Sequence, residues 1–125
     1  MNNPHVATWF EIPAADLARA VRFYEEVFAT KMVQEPCPSG MKMAVFPADG
    51  EAVKGCLIEH ESYKPSADGT IVYLNGGDDL SAPLARAERA GATIVIPKTL
   101  ITPEIGYFAQ LIDSEGNRVG LYSMH

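Results

Sequence analysis

The sequence predicts an α+β fold made of two βαβββ modules, and two observations carry this prediction. First, two helical patterns open with Asp16-Leu17 and Asp79-Leu80, which begin 63 residues apart in a chain of 125. Second, each helix follows an apolar, strand-like run, Val6 to Ile12 or Thr70 to Leu74, and precedes two or three short strand candidates. A pattern that recurs at half the chain length indicates an internal repeat.

Module one begins with the strand Val6 to Ile12, because its β-branched and aromatic residues favour strands and Pro13 lacks the N–H that a ladder would use. Period two places Trp9 and Glu11 on the same face of that strand. Asp16 is a good N-cap for the helix that follows. The apolar stripe of this helix recurs at three- and four-residue spacing: Leu17, Ala20, Val21, Tyr24, Val27 and Phe28.

The rest of module one is predicted as three short strands. The segment from Pro36 to Gly40, with two prolines and a glycine, is predicted as a loop. The second and third of these strands form a hairpin around Asp49-Gly50. The predicted strands are Lys31 to Gln34, Met41 to Phe46 and Val53 to Glu59.

Module two follows a polar linker, Glu61 to Gly69. Asp78 or Asp79 is expected to cap its helix, with Pro83 in the first turn and Gly91 at the C′ position. The inward stripe of that helix is Leu80, Leu84, Ala87 and Ala90. The predicted strand Thr93 to Ile96 ends at Pro97, a loop runs from Lys98 to Gly106, and a hairpin turns at Asp113 to Asn117 between Tyr107 to Ile112 and a last strand ending near Ser123.

Composition restricts the class of protein. A chain of 125 residues fits one domain, 1–125, with module one at about 5–60 and module two at about 69–123. Cys37 and Cys56 have no C-x-x-C spacing, so we expect a reduced, cytoplasmic protein without disulfides. No export leader and no apolar run of roughly 18 residues is present, so we expect no membrane span. The formal charge of −6 makes nucleic acid an unsuitable partner.

Several short motifs are distributed along the chain. They are Phe10-Glu11-Ile12-Pro13 with Asp16-Leu17, Phe23-Tyr24-Glu25, Val27-Phe28, Asp68-Gly69, Gly106-Tyr107-Phe108-Ala109, and Asp113-Ser114-Glu115-Gly116-Asn117-Arg118-Val119-Gly120-Leu121. Together these motifs resemble those of the glyoxalase/bleomycin-resistance/dioxygenase superfamily, also called vicinal oxygen chelate. The resemblance covers essentially the whole chain, and it implies one mixed sheet curved around a cavity.

The resemblance also implies where a metal would be held in this chain. Metal-dependent members place His, Glu or Gln on the first and last strands of each module, and the corresponding positions here are Trp9, a residue near Thr70, Gly120, and Glu59 or its neighbour. Trp and Gly offer no donor atom and Thr is a poor ligand, so only one plausible ligand remains. By spacing, the three histidines, His5, His60 and His125, do not restore a site. We therefore expect no metal and no other cofactor.

Three functions remain open at this stage. The favoured hypothesis is a metal-free protein that binds a small molecule in a cavity lined by Trp9, Phe46, Phe108 and Tyr122, with Glu11 or Glu59 as its polar contact. The alternative for these aromatics is a role in the core, and for Glu11 a place on the exposed rim of its strand. The second function is a metal-dependent lyase or isomerase of glyoxalase I or epimerase type. The third is a structural or partner-binding module.

We also expect a homodimer, because an open sheet leaves edges and apolar surface uncovered.

Overall fold

The computed structural model describes residues 5–36 and 40–125. The predicted α+β fold of two βαβββ modules is confirmed. Where the resemblance implied one mixed sheet, each module forms its own four-stranded mixed sheet, in the orders β1-β4-β3-β2 and β5-β8-β7-β6. In each sheet the first strand runs parallel to the last, and the other neighbours are antiparallel. The elements are β1 (Trp9–Pro13), α1 (Leu17–Phe28), β2 (Val33–Pro36), β3 (Lys42–Val45), β4 (Lys54–Glu59), β5 (Tyr73–Asn75), α2 (Ser81–Arg89), β6 (Thr93–Thr102), β7 (Gly106–Ile112) and β8 (Arg118–Ser123).

Helix α1 follows the predicted pattern closely. The Asp16 side chain accepts a hydrogen bond from the Arg19 N–H at 3.1 Å, as an N-cap should. The predicted stripe packs inward, with only Phe28 partly exposed. The helix ends at Ala29, whose φ of 51° is left-handed, the conformation that commonly terminates helices.

Helix α2 begins two residues after the predicted cap. Leu80 occupies the N-cap position. The Asp79 carboxylate accepts hydrogen bonds from the Ser81 N–H at 2.8 Å and from the Lys98 ammonium at 2.9 Å. These donors lower the pKa of Asp79 to about 2. Asp79 therefore satisfies an N–H of the helix start, although it lies one residue outside the N-cap.

One hydrophobic core joins the two modules. The inner faces of both sheets and the apolar stripes of α1 and α2 form a single cluster of buried residues. Ile12, Ala44 and Leu57 come from sheet one, and Leu74, Ala109 and Leu121 from sheet two. Among the described residues, no helix is long and apolar enough to cross a membrane.

Three of the predicted strands start two or three residues later in the structure. β1 starts at Trp9, since Val6 lies outside the sheet and is 82% exposed. β2 starts at Val33 and β5 at Tyr73, so each lies two or three residues later than predicted. The register with the neighbouring strands decides these bounds, and strand propensity alone cannot locate them.

The prediction that Pro97 ends a strand is wrong. β6 runs on to Thr102, and most of the predicted loop from Lys98 to Gly106 belongs to it. Pro97 lies between Ile96 and Thr99, where the register with β7 shifts. β6 is also an edge strand, and β7 is its one neighbour in the sheet. Proline is tolerated in edge strands and at such irregularities, because few ladder hydrogen bonds are lost there. Of the predicted loop from Pro36 to Gly40, Pro36 belongs to β2, and residues 37–39, including Cys37, lie outside the described residues.

Candidate ligand-binding faces

Each sheet has an outer face, defined as the face turned away from the core. Successive side chains of a strand point to opposite faces of the sheet. Ile12 and Leu74 point into the core, so the side chains of Trp9, Glu11 and Tyr73 point to the outer faces. The outer face of sheet one carries Trp9, Glu11, Met43, Val45 and Lys54. The outer face of sheet two carries Tyr73, Phe108, Gln110, Arg118 and Tyr122.

Trp9 and Glu11 share the outer face of sheet one, as their spacing predicts. The indole Nε1 donates a hydrogen bond to Glu11 Oε2 at 3.3 Å. Trp9 remains 44% exposed, and Glu11 is exposed as well. An indole face open to solvent beside a carboxylate can contact a flat or cationic molecule.

Phe108 and Tyr122 share the outer face of sheet two and pair with each other across β7 and β8. Both are partly buried, and the Phe108 ring centroid lies 6.3 Å from that of Tyr73. The Tyr122 hydroxyl donates to the Ile105 carbonyl, so it ties the turn before β7 to β8. Its ring is exposed in part, while its polar atom is already used within the chain.

Phe46 and Glu59 were predicted to line one cavity with Trp9, but their side chains lie on the other face of sheet one. Phe46 follows β3 on the core side, where its ring lies 5.7 Å from Phe10 and 5.4 Å from Tyr24. Glu59 pairs with Lys42 at the end of β4, on the same side as Leu57, and its Oε1 accepts the Leu17 N–H at 2.8 Å. The side chain of Glu59 therefore serves the start of α1, and of the two predicted acids only Glu11 lies on the outer face.

Gly120 has no side chain, but another residue fills the space above it. Tyr73 is the register partner of Gly120, and a Cβ on Gly120 would collide with the Tyr73 ring. Thr70, predicted near the ligand position of the first strand of module two, precedes β5 altogether. The ring of Tyr73 therefore occupies the space above Gly120.

The hydroxyl of Tyr73 ends a chain of three polar side chains. Arg118 Nη1 donates to Gln110 Oε1 at 3.1 Å, and Gln110 Nε2 lies 2.7 Å from the Tyr73 hydroxyl oxygen. Sequence reasoning missed these three residues. Two signals could have found them: Gln110 is a polar residue inside the apolar run of β7, and Arg118 directly follows the turn motif.

The motif Asp113-Ser114-Glu115-Gly116-Asn117 is structural. Asp113 accepts the Tyr24 hydroxyl at 2.6 Å, and Asn117 Nδ2 donates to the Pro13 carbonyl at 2.7 Å. Glu115 accepts hydrogen bonds from the side chain of Arg19 and from the Asp16 N–H. The turn between β7 and β8 thus binds module two to the start of α1 in module one.

The described residues hold no group of three His, Cys, Asp or Glu side chains that could bind a metal ion. The residues at the expected ligand positions do not fit one either, because Gly120 lies under Tyr73 and Glu59 points toward α1. His60 accepts the Ser62 N–H at 3.1 Å within its own turn. We therefore derive no chemistry through a metal.

The largest of the cavities found among the described residues lies mostly on the core side, and Lys54 is the one residue named above for an outer face that lines it. It has a volume of about 700 Å³ and lies between the modules, with Phe10, Phe28, Phe46 and Arg86 in its wall. The Arg86 Nε donates to the Val27 carbonyl at 2.8 Å. Trp9 and Phe108 do not line it. Among the smaller cavities of the described residues, one of about 520 Å³ has Tyr73 and Tyr122 in its wall, and one of about 140 Å³ has Glu11 and Arg118.

Comparison with known proteins decides the family. The model of the Glyoxalase/Bleomycin resistance protein/Dioxygenase superfamily matches residues 4–121. The chain belongs to this superfamily. A "Glyoxylase-like domain-containing protein" from Didymella fabae is 31% identical to this superfamily member over 112 residues, which cover 86% of this chain and 84% of the relative.

Solved structures of the superfamily share the fold. TnmS3, an antibiotic binding protein from Streptomyces sp. CB03234, aligns with a TM-score of 0.65 at 22% identity, covering 98% of each chain. A mutant of glyoxalase I from Zea mays aligns with a TM-score of 0.67 at 16% identity, covering 93% of this chain and 45% of the maize chain. At these identities the likeness establishes the fold of this superfamily member and leaves its activity open.

Proposed function

We propose that this chain is a metal-free, small-molecule-binding member of the superfamily whose ligand is a flat or cationic organic molecule. The observation that carries the proposal is the half-exposed indole of Trp9 beside the Glu11 carboxylate, held at 3.3 Å on the outer face of sheet one. Cation–π contact with an indole adds roughly 0.5–2 kcal/mol to binding. The carboxylate next to it attracts the same cation.

The outer face of sheet two supports the proposal further. Tyr73, Phe108 and Tyr122 place three aromatic rings on neighbouring strands, and Tyr73 is 46% exposed. Aromatic side chains with a few polar groups among them are typical of the walls of sites that bind organic ligands. The antibiotic binding protein with the same fold offers a precedent for this type of function.

The residue types at the expected metal positions favour binding without a metal over the lyase or isomerase alternative. Trp9 and Gly120 have no donor for a divalent cation, and Glu59 is engaged by the Leu17 N–H. Elemental analysis of protein purified without chelators separates the two hypotheses. We expect well under one zinc, nickel, manganese or iron per chain, whereas a near-stoichiometric metal would favour the enzyme.

We also propose that two copies of this chain form a homodimer. β6 is an edge strand, and it exposes Val95, Leu100 and Ile101, followed by Ile105 in the next turn. An exposed apolar edge of this length is a surface that a second copy can cover.

The binding proposal can be tested with proflavine, a planar cationic dye. Trp9 is the only tryptophan of the chain, so its fluorescence reports directly on the outer face of sheet one. We expect proflavine to quench this emission and to raise the melting temperature as its concentration increases. Trp9→Ala should weaken binding by roughly tenfold, in keeping with an aromatic contact of this size.

Tyr63→Ala is the matched control, because Tyr63 is a partly buried aromatic that contacts His60 and lies on neither outer face. Its affinity for proflavine should equal that of the parent. Equal stabilisation of the Trp9→Ala variant would place the site elsewhere. If planar cations and planar neutral compounds all leave the parent unchanged, the chain is a structural or partner-binding module.

A further inference from the structure

We infer that Tyr73 presents a fixed hydroxyl donor on the outer face of sheet two, so that the ligand carries a hydrogen-bond acceptor oxygen on a planar ring system. This inference rests on the proposed ligand-binding function and adds the chemical class of the ligand. It concerns Tyr73, Gln110 and Arg118, whose hydrogen bonds determine which way the Tyr73 proton points.

The orientation begins at Arg118. A guanidinium group has only donors, so the Gln110 atom 3.1 Å from Arg118 Nη1 must be the amide oxygen. The amide nitrogen of Gln110 then faces the Tyr73 hydroxyl at 2.7 Å and donates to it. Exchanging the two amide atoms would place a donor against the guanidinium. The Tyr73 oxygen is therefore an acceptor within the chain.

The hydroxyl proton of Tyr73 is left for another partner. Since the oxygen already accepts from Gln110, the O–H bond must point away from that amide. Among the described residues, the hydrogen bond found at the Tyr73 hydroxyl is the one that it accepts from Gln110, and no group accepts its proton. Water can take the proton in the unbound protein, and a ligand oxygen can replace that water.

Packing holds the group in place. Tyr73, Gly120 and Gln110 lie in one row across β5, β8 and β7, with Gly120 in the middle. Because Gly120 has no side chain, the Tyr73 ring lies over β8 and its hydroxyl reaches Gln110 on the next strand. Gln110 is 8% exposed, and the Arg118 Nε donates to the Ala67 carbonyl at 3.2 Å.

The neighbouring groups restrict the ligand further. The Phe108 ring beside Tyr73 offers an apolar contact for a planar skeleton. Arg118 adds a positive charge to the same face, which disfavours a cation at this point and suits a carbonyl or an ionised oxygen. A planar aromatic ketone combines these features.

The test uses 9-fluorenone and fluorene, which share a tricyclic skeleton and differ in the ring carbonyl. One neutral hydrogen bond is worth about 0.5–1.5 kcal/mol, so the parent should bind fluorenone roughly two- to tenfold more tightly than fluorene. Tyr73→Phe should remove this preference and leave the fluorene affinity unchanged. The carbonyl stretch of bound fluorenone should lie at lower frequency in the parent than in this variant.

Gln110→Glu is the decisive second variant, because it keeps the shape of the Gln110 side chain and reverses the direction of its hydrogen bond with the Tyr73 hydroxyl. A carboxylate at this position accepts from both Arg118 and Tyr73, so the hydroxyl proton turns inward. The fluorenone preference should then disappear although Tyr73 is intact, which a purely structural role for Tyr73 does not predict.

The possible failures can be told apart. Binding of both compounds with equal affinity by the parent, or a preference that persists in both variants, overturns the inference and leaves the binding function standing. Binding of neither compound, with no stabilisation by proflavine, overturns the proposed function together with the inference.

Discussion

Asp113 is the residue on which buried polar contacts of the two modules converge. It is 6% exposed, and its carboxylate accepts hydrogen bonds from the Tyr24 hydroxyl, the Glu115 N–H and both the backbone and side chain of Asn117. A buried carboxylate is tolerated only when such donors surround it. The same contact acts on Tyr24, because burial first and the Asp113 charge second raise the pKa of the Tyr24 phenol well above its usual value.

Tyr24→Phe should lower the free energy of unfolding by about 1–3 kcal/mol, because it leaves Asp113 without one of its donors in a buried place. Urea unfolding followed by circular dichroism measures this. Tyr63→Phe is the matched control, since Tyr63 is less buried, and it should change stability by less than about 0.5 kcal/mol. Equal changes in the free energy of unfolding for the two variants would show that the hydrogen bond between Tyr24 and Asp113 does not stabilise the fold.

Glu115 makes the stability depend on pH. Burial of the carboxyl favours a higher pKa, but hydrogen bonds from Arg19, Asp16 N–H and Ser114 outweigh it and lower the pKa from 4.5 to about 2. A pKa lowered in the folded state contributes stability at pH values above the unfolded pKa, and this contribution is lost as the pH falls toward 2.

Glu115→Gln should therefore destabilise the protein at pH 7, and the difference from the parent should shrink as the pH falls from about 5 to about 2. Denaturant unfolding at several pH values measures this. Glu104→Gln serves as the control, because Glu104 is exposed and should show no such convergence. A constant difference between parent and Glu115→Gln over this range would contradict the assignment.

At the scale of elements, the start of α1 is held by carboxylates from three parts of the chain. Asp16 accepts the Arg19 N–H, Glu59 at the end of β4 accepts the Leu17 N–H, and Glu115 accepts the Asp16 N–H. The first N–H groups of a helix have no partner inside the helix, and the helix dipole favours negative charge there. These contacts join α1 to both sheets.

Glu59→Ala should lower the free energy of unfolding by about 0.5–2 kcal/mol, the usual range for a lost helix cap, and leave proflavine affinity unchanged. Thermal unfolding and Trp9 fluorescence measure the two effects. Glu61→Ala is a suitable control, because Glu61 is exposed and lies two residues further along. Weaker proflavine binding by Glu59→Ala alone would return Glu59 to the ligand site.

At the scale of the whole molecule, the edge strand β6 and the aromatic outer faces leave apolar surface that one chain does not cover. Sedimentation at tens of micromolar should show a dimer of the 13.6 kDa chain. Leu100→Glu, on β6, should weaken the dimer by roughly tenfold or more, because it places a charge in an apolar contact.

Val6→Glu is the control for this prediction, since Val6 is an exposed apolar residue outside both sheets. It should leave the dimer intact. A parent protein that sediments as a monomer at these concentrations contradicts the dimer, and an unchanged dimer in Leu100→Glu would move the interface away from β6.

The sequence by itself determined the repeated modules, the cap and stripe of α1, the hairpin at Asp113 to Asn117, and the shared face of Trp9 and Glu11. These features depend on local periodicity and on residues close together in the chain. Only the tertiary structure decided that Glu59 serves α1, that Tyr73 fills the space above Gly120, and that β6 continues through Pro97. In each case the register with a distant strand makes the choice, and a shift of one residue turns a side chain to the other face.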